Sequence, residues 1–158
     1  MIRSNNRVAK SSIRSTRGSI AFDLAAGSLI AIAVLAFVLN ISFAMISFGV
    51  NDRACRDAAR AAAQGAGAAE ALNMARAAVA PYNSAPLVVS NFQVATLQYQ
   101  DFAGNPPANK SPFVSVTTSA VSKLPAVISV FGTDVFPASI PVKQTYTFPI
   151  VRLTVSTN

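Results

Sequence analysis

The chain has 158 residues, 52% of them hydrophobic, with no His, no Trp and a single Cys. That excludes a His-based acid–base pair or metal site, a zinc site built on several Cys, and an internal disulfide framework. Its formal charge of +7 suggests nucleic acid only until the distribution is read. Five of the thirteen cations (Arg3, Arg7, Lys10, Arg14 and Arg17) fall in residues 1–18, which contain no acid. Beyond them eight basic residues stand against six acidic ones, with no basic patch interleaved with aromatics. Nucleic acid is therefore not expected as a partner.

The cationic start runs into Arg17-Gly18 and then RGSIAFDLAAGSLIAIAVLAFVLNISFAMISFGV. After the lone Asp23, Leu24–Val50 carries no charge for 27 residues. As a helix that run spans roughly 40 Å, enough to cross a hydrocarbon core of about 30 Å with some tilt. It overshoots the apolar core of a secretory signal, about 7–15 residues. A plain single-pass anchor fits the length but leaves Asp23 unexplained. A carboxylate at the edge of an apolar run usually has a partner, and otherwise sits in the headgroup layer. The cations ahead of the helix predict a cytoplasmic N-terminus and an exported chain after Val50. Ala25, Ala26, Gly27, Ala31, Ala33 and Ala36 offer a small-residue surface for helix packing, and Asn40 a hydrogen-bonding group. Asn40 is expected either to bond across a helix contact or to bond its own backbone.

Beyond Val50 the pattern stays helical. Asp52/Arg56 and Arg53/Asp57 are opposite charges at i,i+4 and Asp57/Arg60 at i,i+3, giving a polar stripe of Arg53, Arg56 and Arg60. From Ala58 to Ala80, thirteen of 23 residues are Ala, the strongest helix former. The expectation is one helix of about 60 residues, with a kink or close contact at Gly65 and Gly67 and an end at Pro81. Its distal half has few large apolar residues and needs a partner. Cys55 reads as an inert thiol on a helix face or as half of an intermolecular disulfide.

From Pro81 the composition turns to Val, Thr, Ser, Phe and Pro, which favours strands. Asn91–Tyr99 alternates, placing Phe92, Val94 and Thr96 on one face and Gln93, Ala95 and Leu97 on the other. Asp101–Pro112 is turn-rich and reads as a loop. Phe113–Val121 and Ala126–Phe131 are the next apolar candidates; Val142–Phe148 alternates again, with Val142, Gln144, Tyr146 and Phe148 against Lys143, Thr145 and Thr147, and Leu153–Ser156 is a possible extension of it. Val127–Phe131 is open between strand, helix and interfacial turn, because a short apolar run has no decisive period. The fold class is thus α+β: a long N-terminal transmembrane helix and a small β-rich exported domain. The domain boundaries are 1–18 for a basic leader, 19–80 for the helix with a transmembrane part at 24–50, and 81–158 for the β domain.

A basic leader ending in Arg17-Gly18, an acid five positions after the Gly, and a long apolar helix together resemble a prepilin processing site. The helix continuing through Asp57–Ala63, and SVTTSAVSKLPAVISVFG at 115–132, are similar to TadE/TadG-like pseudopilins, the minor pilins of tight-adherence (Flp) pili within the type IV branch. The resemblance implies cleavage by a prepilin peptidase between Gly18 and Ser19. It further implies assembly with other pilin or pseudopilin subunits through the apolar helix, and a role for Asp23 in pairing with the N-terminus of a neighbouring subunit. The family's usual acid is Glu, so Asp23 is a departure that keeps the charge and shortens the reach.

The carboxylates Asp52, Asp57, Glu70, Asp101 and Asp134 are scattered, and Gly65-Ala66-Gly67 is followed by no GK[ST]. No enzyme and no cofactor or metal are expected. Two functions from different classes remain: a structural pilus subunit of the cytoplasmic membrane, in contact with membrane lipid and with its peptidase, and a membrane-tethered binding module with an exported β domain.

Overall fold

The structure, a computed structural model, describes residues 13–84, 88–130 and 132–150, without the side chains of 13–19, 128, 130, 135 and 136. The fold is α+β, with helices α1 (Ile13–Ala62) and α2 (Ala68–Val79) and strands β1 (Val89–Gln100), β2 (Phe113–Lys123), β3 (Ile128–Val130), β4 (Thr133–Phe136) and β5 (Ser139–Pro149). The chain forms two compact units, divided within α1 between Val38 and Leu39.

In the first unit the described side chains of α1, from Ile20 to Val38, are almost all exposed; Phe22 and Leu24 are each 74% exposed. One helix of the chain, Ile20–Ala62 among the described residues, is long and apolar enough to cross a membrane.

The second unit is an antiparallel sheet in the order β1-β2-β5 packed on the rest of α1 and on α2, with β3 and β4 forming a separate hairpin. β2 is the central strand. Its burial alternates without a fault, and Val114, Val116, Thr118, Ala120 and Ser122 all face inward. The core joins Ala54, Ala58, Ala59, Ala62, Ala71, Ala75 and Val79 of the helices to Val89, Phe92, Val114, Val116, Ala120 and Ile150. Alanine gives the helices little apolar area of their own, but it lets them lie close to a sheet that supplies the larger side chains. The partner that the distal helix requires is the chain's own sheet.

The helical stretch expected over 19–80 is two helices rather than one. α1 stops at Ala62, and the chain turns sharply before α2. A Cβ on Gly65 would stand 2.6 Å from the Ala71 amide nitrogen and 2.8 Å from its Cα, so only Gly fits that approach. Tyr99 ties the turn to β1 by donating its hydroxyl to the Gly65 carbonyl at 2.9 Å. Glu70 accepts from the Ala66 amide at 2.9 Å, reaching back over the start of α2 much as the acid of a capping box does.

The expected strands are present, but β1 does not keep the face assignment that strict alternation predicts. Its pairing with β2 slips between Ser90 and Gln93 and again between Val94 and Thr96. Asn91, with φ of 56°, occupies the left-handed region that Asn tolerates best among residues with a side chain. The second slip turns Leu97 and Tyr99 towards the core and leaves Thr96 exposed, the reverse of the predicted faces beyond Val94. A bulge of one extra residue is sufficient for this, because the side-chain period of a strand is two. In β5 the predicted alternation holds, and Pro141 is accommodated because β5 is an edge strand. Residues 128–130 are a strand, resolving the three-way choice there, whereas Leu153–Ser156 lies outside the described residues.

Candidate functional site

Two features of α1 carry what the sequence singled out: an exposed apolar stretch in the first unit and a buried polar seam in the second. The sequence-predicted positions divide between them. Gly18 and Ser19 lie on the α1 backbone, in its second turn. Asp23 is exposed and is the only acid on the described part of the first unit. An added Cβ on Gly27 would meet nothing within 4 Å, so that side of the helix is open to a close neighbour. Ser28 donates its hydroxyl to the Ala25 carbonyl of its own helix at 2.8 Å, which lowers the cost of carrying a hydroxyl in an apolar stretch.

Asn40, by contrast, is fully buried in the second unit. Its Nδ2 donates to the Ala126 carbonyl at 2.8 Å and its Oδ1 accepts from the Ala126 amide at 3.2 Å. The side-chain amide thus grips a single residue as a neighbouring strand would. Its hydrogen-bonding needs are met within the chain, by a residue 86 positions away.

Asn40 is the first of a series. Ser47 gives or accepts a 2.7 Å hydrogen bond with Ser122. Asn51 accepts from the Thr118 hydroxyl at 3.0 Å and donates to the Val142 carbonyl at 3.3 Å. The Cys55 thiol lies 3.3 Å from the Val116 carbonyl and 3.2 Å from that of Gln144. All four are fully buried, and no buried side-chain polar atom among the described residues lacks a partner. Positions 40, 47, 51 and 55 share one face at 3.6 residues per turn, and Thr118 and Ser122 share one face of β2. Sequence reasoning named Asn40 and Cys55 but did not connect them. The signal was available: polar residues at i, i+7, i+11 and i+15 on one face of the helix. Buried, Cys55 cannot reach another chain unless the seam opens.

Further along α1, the Asp52 carboxylate accepts the Tyr146 hydroxyl at 2.7 Å and pairs with Arg56 at 2.8 Å. Arg56 lies over the Tyr146 ring at 5.0 Å and Arg60 over Phe148 at 5.8 Å. Arg56 and Arg60 of the stripe are therefore laid over β5 aromatics rather than merely solvated. The exposed Arg56 guanidinium is held above its ordinary pKa, first by its hydrogen bond to Tyr146 and then by Asp52. Tyr82 donates to Asp57 at 2.6 Å, and burial with that bond pushes its phenol up to about 12.

No group of three or more His, Cys, Asp or Glu able to hold a metal occurs among the described residues. An open cavity of about 540 Å³ is lined by Asn83 and Ser90–Gln93. Asn83 is already used there, donating to the Phe92 carbonyl at 2.9 Å and accepting from its amide at 2.8 Å. The cavity holds no titratable side chain to do chemistry. No family model, curated protein or solved structure matches the chain.

Proposed function

We propose that this chain is a structural subunit of a pilus-like assembly, a pseudopilin or minor pilin of the TadE-like kind. In this reading it is anchored by α1 in the cytoplasmic membrane, with its N-terminus inside and the sheet exported. The observation that carries the reading is the division of one helix into an exposed apolar half and a half bound beneath a small sheet. A protein that only needed an anchor has no use for the second half; a subunit that packs helix against helix while displaying a sheet uses both.

Asn40 to Val50, read from sequence as the end of the span, includes Asn40 and Ser47 bound to Ala126 and Ser122. The stretch Ile20–Leu39, roughly 30 Å as a helix, is by itself long enough for a hydrocarbon core, and Met45, Ile46 and Phe48 beyond it also keep exposed apolar side chains.

Cleavage after Gly18 creates an α-amino group on Ser19, with an ordinary pKa of about 8 and so largely cationic at neutral pH. In this reading Asp23 pairs with it, within the same helix at i,i+4 or from a neighbouring subunit. Pairing offsets much of the desolvation cost of both charges at the edge of an apolar bundle. The assembly role falls to the intermolecular pair, which sets the axial register of one subunit on the next.

The test is incorporation. Asp23→Ala is expected to be processed and inserted normally, yet to be lost from sheared or extracted filaments when normalised to its membrane level; Asp23→Glu is expected to be retained. A tethered binding module would tolerate both changes. Equal incorporation of Asp23→Ala and wild type would remove the assembly role.

A further inference from the structure

The three-stranded sheet ends in two edges, β1 and β5, whose backbone groups can be assigned a direction. The Lys123 amide donates to the Val88 carbonyl and the Leu124 amide to the Ala138 carbonyl. Odd-numbered residues of β2 therefore aim their backbone groups at β1, and even-numbered ones at β5. Even residues of β5 stand opposite the latter, so Lys143, Thr145 and Thr147 aim outward, between Pro141 and Pro149, which lack an N–H. Gln93, Thr96 and Gln98 of β1 stand opposite Ser119, Thr117 and Ser115, so Phe92, Val94 and Leu97 aim outward. Asn83 covers Phe92 with a hydrogen bond to each of its backbone groups. Beyond that cover, Val94 and Leu97 face a groove of about 420 Å³, walled on its other side by Ala69, Leu72 and Arg76 of α2.

An edge left open in this way accepts a further strand. β5 is parallel to β1, since both are antiparallel to β2, so copies related by a simple translation bring β5 of one beside β1 of the next in parallel. In a parallel pair each bonding residue reaches the two residues that flank its opposite number. With Leu97 level with Tyr146 of the next copy, its amide and carbonyl meet Thr145 and Thr147. The bulge after Val94 then sets Val94 level with Gln144, where it meets Lys143 and Thr145. Every one of these bonds uses an outward group, and none needs a proline N–H. The side chains agree as well. Leu97 and Tyr146 both point to the helix-bearing face, so the join keeps the helices of every copy on one side.

We propose that the occupant of this groove is a second copy of the chain: β5 of one subunit adds in parallel to β1 of the next, a head-to-tail contact that repeats along a row. This deepens the proposed function by naming a surface through which subunits meet, and it rests on that reading. Charge separates this join from the others. Beside β5 lie Arg56 and Arg60, stacked on Tyr146 and Phe148, and Asp52, bonded to Tyr146. Joining two β5 edges sets two such arginine rows together, and joining two β1 edges sets Arg76 against Arg76. Head to tail, Arg76 meets the opposite sign. It lines the groove with Val94, level with Gln144 of the next copy. Asp52 of that copy stands at the same height, since its neighbour Asn51 bonds the Val142 carbonyl and Cys55 that of Gln144. A heterologous contact of this kind leaves one edge open at each end, and so builds rows rather than closed dimers.

Cysteine cross-linking in the full chain tests the join. Thr96 and Thr145 are exposed, and within one chain they pair with Thr117 from opposite sides. Two strand spacings, about 10 Å, separate them there, beyond the roughly 7 Å that a disulfide can bridge. Across the join they are neighbours. Thr96→Cys and Thr145→Cys are expressed singly, as a mixture of the two single variants, and combined in one chain, with wild type as the control for the buried Cys55. Extracted filaments are oxidised and run on non-reducing gels. Expected are monomers for each single variant, a dimer for the mixture and a ladder for the double variant. Gln98→Cys with Thr147→Cys, both exposed and one step along the join, gives the same pattern from a second pair. Filaments that hold both cysteine variants but yield no mixed dimer from either pair overturn the join and leave the assembly reading standing. A dimer from Thr96→Cys or Thr145→Cys alone also overturns it, because like edges then meet. Wild type that enters no filament removes the assembly reading, and the join with it.

Discussion

The buried pair Asn51–Thr118 makes a quantitative demand on the seam. Asn51→Leu keeps the branching at Cγ but removes the 3.0 Å bond from Thr118 and the 3.3 Å bond to the Val142 carbonyl. Each hydrogen bond contributes about 0.5–1.5 kcal/mol net, and a fully buried hydroxyl left without a partner costs about 1–3 kcal/mol. The added apolar volume offsets part of this, so the expected loss is about 2–3 kcal/mol. Thr118→Val is nearly isosteric and strands the Asn51 oxygen, for about 1–3 kcal/mol. In the double variant no stranded partner remains from that bond. Its cost should fall short of the summed single costs by at least about 1 kcal/mol, the coupling expected of residues in direct contact. The assay is guanidinium unfolding of the full chain in detergent micelles, followed by far-UV circular dichroism and by the fluorescence of Tyr82, Tyr99 and Tyr146. An unchanged denaturant slope licenses the comparison. Additivity of the two substitutions within about 0.5 kcal/mol would show that the two side chains do not meet, and the seam would have to be redrawn.

Other outcomes follow from single positions. Gly65→Ala should destabilise by about 1–3 kcal/mol because the new Cβ meets backbone of α2, whereas Gly67→Ala, with nothing within 4 Å, should be close to neutral in the same unfolding assay. Tyr82 has its phenol raised from 10.0 to about 12, first by burial and then by its bond to Asp57. A raised folded pKa contributes stability that is whole below the unfolded value and lost as pH climbs through the folded one. The wild type should therefore lose stability between about pH 10 and 12 more steeply than Tyr82→Phe, and parallel pH profiles would refute the contact.

Much of the fold was legible in the sequence, and the failures have local physical causes. The apolar helix announced itself through 27 uncharged residues, β2 as an apolar stretch, and β5 through alternation that survives intact in the structure. The faces of β1 were misread after Val94 because a bulge adds a residue without any sequence mark as plain as Gly or Pro; Ala95 looks ordinary in a strand. A kink or close contact was legible at Gly65 and Gly67 but a break was not, because the turn depends on Ala71 lying against Gly65, a contact between residues that periodicity treats separately. Hydropathy reads Asn40–Val50 as continuous with what precedes it, and only the bonds of Asn40 to Ala126 and of Ser47 to Ser122, some eighty residues on, show that one side of this segment is held by the second unit. Of the candidate positions, Asp23 is exposed and Gly27 has room beside it, while Asn40 belongs to the internal seam.

The account turns on whether α1 is the processed, membrane-held helix of an assembling subunit. The most direct measurement is the intact mass, with N-terminal sequence, of the protein recovered from membranes of a host that carries a prepilin peptidase. The account predicts a mature chain that begins at Ser19 and retains the whole of Ile20–Val50, and a Gly18→Val variant that keeps its leader. A chain still beginning at Met1 in that host, or one that begins beyond Val50, would contradict it.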